Sequence, residues 1–248
     1  MLPAKSPDRA ASGAQSRLSR MLVNLLMKRA RVVAAETLAE RYRLITLEGP
    51  ALERVAWIAG QKVQIAMGSA FVTRTYTPIE WNASAGRACI LGYAHGDGPG
   101  SAWVLGVRPG DECDVFGPRS SLDVRHLPGP LVLLGDETSI GLAFALVQQD
   151  PARLVTCGFE VDDVDACRQV AARLGLEDAM IFAKSADGTH LGAMAAMMSP
   201  RAQAGMAFVL TGKAGTIQAL RQDLKRHGVP AARVATKAYW APGKVGLD

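Results

Sequence analysis

The 248-residue sequence contains only four cysteines, 6% aromatic residues and no hydrophobic run long enough to cross a membrane. Cys89, Cys113, Cys157 and Cys167 are far apart and form no CxxC pair or ferredoxin-like spacing, so the sequence predicts no zinc, iron–sulfur or other metal site. We expect each thiol to be buried and reduced, as in a cytoplasmic protein. The apolar run Met21–Met27 spans about seven residues, which is too short for a bilayer.

Excess charge of one sign is also small. The sequence has 28 lysines and arginines against 23 aspartates and glutamates, which gives a net charge of +5. The basic residues lie mainly near the N-terminus and in the last third of the chain, and they are not interleaved with aromatic residues on which bases could stack. This pattern argues against nucleic-acid binding and favours an anionic small molecule as the partner.

The composition, 49% hydrophobic and 21% charged, is that of a globular protein long enough for two domains. We expect residues 1–27 to be a flexible tail, with a short amphipathic helix predicted over Leu18–Met27. Residues 28–127 contain short β-type runs separated by turn residues, which predicts a small antiparallel barrel. These runs are Arg31–Ala35, Tyr42–Glu48, Lys62–Ala66, Arg87–Ala94 and Glu112–Phe116.

The pattern changes near Leu127, where we place the boundary of a second domain, residues 128–248. Apolar runs are now each followed by a helical pattern, as a parallel α/β sheet requires. The runs are Leu131–Leu134, Leu154–Phe159 and Met206–Thr211, and the helical patterns are Thr138–Gln148, Val164–Leu174 and Thr216–His227.

One segment of the first domain combines groups that suit a flavin. An extended strand would place Arg74, Tyr76 and Pro78 on one side and Thr75 and Thr77 on the other. A flavin needs an aromatic face, a guanidinium for its phosphates and hydrogen-bonding groups at the ring edge. An ordinary surface strand with the same residues is the competing interpretation.

Two further segments add to this pattern. The glycine-rich turn His95–Leu105 ends where a helix can start, with Ser101 suited to the helix N-terminus, and such a turn lets backbone amides approach a diphosphate. It lacks the Gly-Lys-Ser/Thr ending of a Walker loop. The segment Phe116–Ser121 leaves a cation and two hydroxyls at a turn. Each segment alone also fits a purely structural connection.

In this order and spacing, the segments resemble the siderophore-interacting protein family, FAD-dependent ferric-siderophore reductases of the ferredoxin-reductase superfamily. The resemblance covers roughly residues 28–246 and implies an all-β plus α/β fold: a six-stranded antiparallel flavin-binding β-barrel followed by a Rossmann-like parallel α/β domain. It rests on the stretches Arg74–Pro78, His95–Trp103, Arg108–Asp111, Phe116–Arg119, Gly135–Thr138 and Tyr239–Trp240 with Gly243.

The resemblance also implies the site residues. Those that would contact FAD are Arg74, Thr75, Tyr76, Thr77, His95, Gly98, Pro99, Gly100, Ser101, Trp103, Arg119, Ser120, Tyr239 and Trp240. Those that would bind the electron donor and the substrate are Asp136, Glu137, Thr138, Lys213, Lys237 and Lys244. The flavin carries the redox chemistry, with Asp136 and Thr138 the only candidates for a catalytic part. A structural alternative is that Asp136 simply caps the following helix.

The sequence departs from the family pattern at three places. Ser139, Ile140 and Gly141 follow Thr138, where the family commonly has a small or apolar residue, leucine and proline. Lys213 stands where the family has an acid, and the glycine that usually precedes the Tyr-Trp pair is an alanine here. These changes concern donor and substrate recognition more than FAD binding.

The sequence therefore predicts a ferric-siderophore reductase in the cytoplasm, a monomer without membrane insertion. Electrons from NADPH or NADH, or from a ferredoxin, would pass through FAD to Fe(III) held in an anionic siderophore, and Fe(II) would be released. Two alternatives stay open. One is a general flavin reductase or electron-transfer module that serves a protein partner, and the other is a flavin-containing protein that binds a siderophore without turnover.

Overall fold

The computed structural model describes residues 27–67 and 72–244. The predicted helix over Leu18–Met27 lies outside this range except for its last residue. The described chain forms a seven-stranded antiparallel sheet followed by a five-stranded parallel sheet. No helix in these described ranges is long and apolar enough to cross a bilayer.

The antiparallel sheet buries its inward-facing side chains, among them Val32, Ile45, Ile65, Ile90 and Val115, in one core. Within residues 28–67 and 72–119, one α-helix, α1, spans Pro99–Gly106 between the last two strands. The strands are β1 (Lys28–Ala39), β2 (Tyr42–Glu48), β3 (Lys62–Ala66), β4 (Thr73–Tyr76), β5 (Pro78–Asn82), β6 (Arg87–Tyr93) and β7 (Glu112–Arg119).

The strand order shows how the sheet curls into a barrel. The order is β4-β3-β7-β1-β2-β6-β5, so β4 and β5 are the two edges, yet only Thr77 separates them in the chain. β4 also contacts β6, which lies beside β5. The two edges therefore converge at Thr77. Counted as one bent strand, β4 and β5 give the six strands predicted, and the bend falls before Pro78, which has no N–H for a continuous ladder.

The second domain has the predicted alternation of strands and helices. All strand pairs are parallel, in the order β10-β9-β8-β11-β12. This is the 3-2-1-4-5 order of a Rossmann-type sheet, whose switch point lies between β8 and β11. The elements are β8 (Leu131–Asp136), α2 (Ile140–Gln149), β9 (Val155–Val161), α3 (Val164–Arg173), β10 (Met180–Ala183), α4 (Thr189–Gln203), β11 (Ala207–Lys213), α5 (Ala214–Arg226) and β12 (Val234–Trp240).

Some elements were not predicted from the sequence. β5, β10 and β12 are edge strands, and their mixed burial gives only a weak hydrophobic pattern. α4 contains Pro200, a residue that normally ends a helix, and its apolar residues show little periodicity. These elements form because neighbouring strands and helices pack against them, although their own sequences lack a clear hydrophobic pattern.

The two domains share a hydrophobic core. Leu38, Tyr42 and Ala59 of the barrel pack in the same cluster as Leu133 and Phe159 of the α/β domain. Two side-chain amides of the α/β domain also bond barrel backbone: Gln169 Nε2 donates to the carbonyl of Leu38 at 2.8 Å, and Gln149 accepts from the amide of Ala59 at 3.1 Å. The geometry between the barrel and the sheet is therefore fixed by burial.

We predict that Leu38→Ala destabilises the whole chain by about 2–4 kcal/mol, because it removes a buried side chain from the shared core. Urea unfolding followed by near-UV and far-UV signals should show one transition at a lower midpoint. The control is Leu154→Ala, at a leucine that is 62% exposed, with an expected change below about 0.5 kcal/mol. Separate unfolding of the barrel at a lower urea concentration would contradict a shared core.

Candidate functional site

The barrel side of the site is built around the N-terminus of α1. Its N-cap is Gly98, which has no side chain to cap the first turn. Gly100 lies against the side chain of Arg74: a Cβ on Gly100 would be 3.0 Å from Arg74 Cγ and 3.5 Å from the Tyr76 hydroxyl. The aliphatic part of Arg74 and the phenol of Tyr76 thus lie beside the helix N-terminus, and the Arg74 guanidinium donates to the carbonyl of Thr73 at 2.8 Å. A cation and backbone amides in the same region suit a phosphate group.

The turn before α1 and the end of α1 are both anchored. Ser101 Oγ donates to the carbonyl of His95 at 2.7 Å, which fixes the glycine-rich turn. At the opposite end, the Arg43 guanidinium donates to the carbonyls of Val104, Leu105 and Val107 at 2.9–3.1 Å. Arg43 was not identified from the sequence, because its partners lie 61 to 64 residues away.

Aromatic rings line the seam between the two domains. Tyr76 and Trp103 lie 5.5 Å apart on the barrel, between ring centroids. His95, in the glycine-rich turn, stacks on Trp240 of β12 at 6.2 Å and on Tyr93 of β6 at 6.3 Å. Burial lowers the pKa of His95, which favours the neutral imidazole. The structure therefore brings together predicted aromatic residues that are far apart in the sequence.

Asp136 occupies the switch point at the end of β8. Its side chain is completely buried, accepts from the Thr138 amide at 2.9 Å and from the Thr138 hydroxyl, and accepts from Trp240 Nε1 at 2.7 Å. The helix-cap interpretation is thus confirmed. Gly212, at φ +95°, leaves room for the carboxylate, since a Cβ there would lie 2.5 Å from it. Burial raises the pKa of Asp136, although these hydrogen bonds partly offset the effect.

The Ser139 departure has a structural explanation. Ser139 completes the capping box with Asp136, and its Oγ accepts from Thr211 Oγ1 on β11 at 2.8 Å. The Tyr239 hydroxyl in turn hydrogen-bonds Thr211 and Thr77, and burial raises the pKa of Tyr239 to about 12. A chain of hydrogen-bonded hydroxyls therefore connects Ser139, at the switch point, to Thr77, where the barrel closes.

Glu137 is held in a buried ion pair. It is 3% exposed, and both its oxygens accept from Lys184 Nζ, at 2.8 and 2.9 Å. Lys184 Nζ also donates to Asp162 at 3.1 Å, and the Tyr93 hydroxyl of the barrel reaches Glu137 at 3.5 Å. Burial lowers the pKa of Lys184, but the two carboxylates together raise it above its ordinary value. Lys184 belongs to no motif and was missed in the sequence.

A second buried carboxylate at this edge of the sheet was also missed. Glu160 accepts from Thr216 Oγ1 at 2.6 Å and pairs with His190 Nε2 at 2.8 Å. The other imidazole nitrogen accepts from the Ser185 amide at 3.1 Å. These residues come from β9, the β10–α4 turn and the starts of α4 and α5, so only the folded sheet brings them together.

The remaining predicted residues are distributed over both sheets and the segments that follow them, and Lys213 contacts the Trp240 ring. Arg119 donates to Gln64 at 2.6 Å with its guanidinium 4.4 Å from the Phe116 ring. Ser120 and Thr75 are exposed. Of the three lysines, Lys213 is at the end of β11, Lys237 is within β12 and Lys244 is in the following turn.

Comparisons with known proteins agree with this architecture. A model of the siderophore-interacting FAD-binding domain matches residues 61–122, and a siderophore-interacting protein model matches residues 129–243. No curated protein sequence matches the chain.

Solved structures with the same fold include the siderophore-interacting protein of Acinetobacter baumannii, at 19% identity and a TM-score of 0.72, covering 88% of this chain and 92% of that one. The siderophore-interacting protein of Aeromonas hydrophila is similar at 20% identity and a TM-score of 0.67, covering 88% and 93%. Phthalate dioxygenase reductase, described as a modular structure for electron transfer from pyridine nucleotides to [2Fe-2S], is similar at 16% identity and a TM-score of 0.73, covering 88% and 70%.

The barrel, the 3-2-1-4-5 sheet and the FAD-binding match define an FAD-binding protein with a ferredoxin-reductase-like fold. Within that class, the chain belongs to the siderophore-interacting protein family.

The raised pKa of Asp136 gives a pH-dependent prediction for Asp136→Asn. Relative to this variant, the wild type should be most stable below the ordinary aspartate pKa of 3.8 and should lose that advantage as pH rises through the raised folded-state value. Unfolding free energies of both proteins from pH 4 to pH 8 would measure the difference. A wild-type advantage that grows with pH would show that the hydrogen bonds to the carboxylate outweigh its burial.

Proposed function

We propose that this protein is an FAD-dependent ferric-siderophore reductase in the cytoplasm. It takes electrons from NAD(P)H and reduces Fe(III) in an anionic siderophore to Fe(II), which the siderophore oxygens hold weakly. The observation that carries the proposal is the uncapped N-terminus of α1 beside Arg74 and Tyr76, inside the segment that matches an FAD-binding domain.

The residues present fit FAD. The N-termini of α1 and α2 differ in whether a side chain caps them. The turn leading into α2 is capped by the chain's own carboxylate, Asp136, whereas α1 begins at Pro99 after the N-cap Gly98 and has no side-chain cap. Backbone amides and a guanidinium at α1 are therefore available to the FAD diphosphate, and Gly100 keeps the approach free of a side chain.

Other residues would hold the flavin ring and shield it from water. Tyr76 and Trp103 offer aromatic surface on the barrel, and His95 and Trp240 offer it across the seam. Thr77, linked to Tyr239, lies where the barrel closes, so its backbone and hydroxyl are held in place. When bound, FAD supplies the chemistry of accepting a hydride and passing electrons on one at a time.

The electron donor would approach the carboxyl edge of the parallel sheet, where open α/β sheets bind ligands. Asp136 and Glu137 are already engaged in hydrogen bonds and an ion pair, so their role toward NAD(P)H is to hold the loop in shape. Thr138 is the half-buried residue of this loop and the candidate for direct contact. The anionic siderophore would be attracted by three lysines, Lys213, Lys237 and Lys244. The protein would act as a monomer.

Electron transfer to a protein partner is a second candidate function. It is favoured by the structural similarity to phthalate dioxygenase reductase, which is described as an electron-transfer module. A reductase for siderophores and a reductase for proteins would share the same flavin site. They differ in the acceptor that reoxidises it.

The test is the visible spectrum of the purified protein, recorded anaerobically as NADPH, then NADH and then a ferric siderophore are added. We expect flavin absorbance that bleaches with a pyridine nucleotide and recovers with the siderophore, while a ferrous chelator traps Fe(II). Recovery only with a ferredoxin or dye would favour the second candidate. Flavin that is reduced by neither nucleotide nor ferredoxin would indicate a binding protein without turnover, and a protein that cannot take up FAD would refute the proposal.

Arg74→Gln should weaken FAD binding by about tenfold or more, because a hydrogen bond to a charged group contributes roughly 1.5–3 kcal/mol. Affinity for riboflavin, which has no phosphate, should change little. Fluorescence titration of the apoprotein with both flavins would measure the two effects. Arg87→Gln is the matched control, because Arg87 on β6 is exposed and pairs with Glu48 on β2. Equal losses for FAD and riboflavin would place Arg74 away from the diphosphate.

A further inference from the structure

Lys213 is a cation on the α/β wall of the seam. It ends β11, and its Nζ lies 5.9 Å from the centre of the Trp240 ring. Trp240 stacks toward His95 across the seam and donates to Asp136 beneath it. Among the residues that the structure describes, no carboxylate forms an ion pair with Lys213, and the Trp240 ring is the contact recorded for its ammonium group.

The charges at the ends of β8 and β10 are compensated or buried. Glu137 is neutralised by Lys184, which is also paired with Asp162. Asp136 is completely buried and its pKa is raised, and His95 has a lowered pKa. Arg74 lies on the barrel wall, at the end of the site where α1 begins. Lys213 is thus a positive charge that lies beside Trp240 and is not compensated by any ion pair among the described residues.

We propose that Lys213 raises the reduction potential of the bound flavin. The inference rests on the proposed function and deepens it. Two-electron reduction adds two electrons and one proton to the neutral isoalloxazine, so the reduced ring carries one negative charge. A nearby cation in a partly buried seam stabilises that charge and leaves the neutral oxidised ring almost unaffected. A lysine here therefore makes the flavin easier to reduce than an acid at the same position would.

The experiment measures the midpoint potential of bound FAD by dye-coupled anaerobic reduction, without any siderophore. The proteins are the wild type, Lys213→Arg, Lys213→Gln and Lys213→Glu. We expect Lys213→Arg to match the wild type. Lys213→Gln should lower the preference for reduced over oxidised flavin by several-fold, and Lys213→Glu should lower it by about tenfold, which is about 30 mV for a two-electron couple.

Lys225→Gln is the matched control. Lys225 is an exposed lysine in the last turn of the helix that begins immediately after Lys213, so the substitution makes the same change in net charge. The 13 residues of α5 place it about 18 Å away along the helix axis. We expect the midpoint potential of FAD in Lys225→Gln to equal that in the wild type, because the effect of Lys213 depends on its closeness to the flavin.

Two results would overturn the inference alone: unchanged potentials in Lys213→Gln and Lys213→Glu, or an equal shift in Lys225→Gln. Both require that the proteins bind FAD, which their absorbance shows directly. A wild-type protein that takes up no FAD would instead refute the proposed function and the inference with it.

Discussion

The carboxylate of Asp136 is the point on which the geometry of the site depends. It lies at the end of the first parallel strand, where it caps the turn into α2 and accepts a hydrogen bond from the indole of Trp240. Gly212 on β11 leaves the space that it fills. Because a buried carboxylate must be hydrogen-bonded, these partners are held together, and with them the aromatic residue that faces the barrel.

The barrel is attached to this centre by polar and apolar contacts. Thr77, where the barrel closes, is linked through Tyr239 and Thr211 to Ser139 in the same cap. In a second polar contact, the Tyr93 hydroxyl of the barrel donates to Glu137, which is paired with Lys184. The shared hydrophobic core then leaves little freedom for hinge motion. A flavin between the domains would therefore enter a preorganised site, which suits a protein whose contribution is orientation and electrostatics.

The same arrangement separates two kinds of helix N-terminus. At α2 the positive end of the helix dipole is satisfied by the protein's own acid, and at α1 it is open. In the proposed function, the FAD diphosphate binds at α1, and the turn into α2 is left to the protein's own carboxylate. The capped turn also explains why Ser139, a departure from the family pattern, is compatible with the fold: its hydroxyl bonds Thr211 within the cap.

The sequence by itself determined that an antiparallel sheet precedes a parallel one, that a glycine-rich turn precedes α1, and that Asp136 is a candidate helix cap. Each of these follows from local signals: hydrophobic period, turn residues and a cap at a helix start. Only the tertiary structure decided which residues meet. Arg43, Lys184 and the Glu160–His190 pair have partners that are distant in sequence, and edge strands such as β12 form because a neighbour offers unpaired backbone groups. Such contacts depend on the packing of separate elements, which no local pattern encodes.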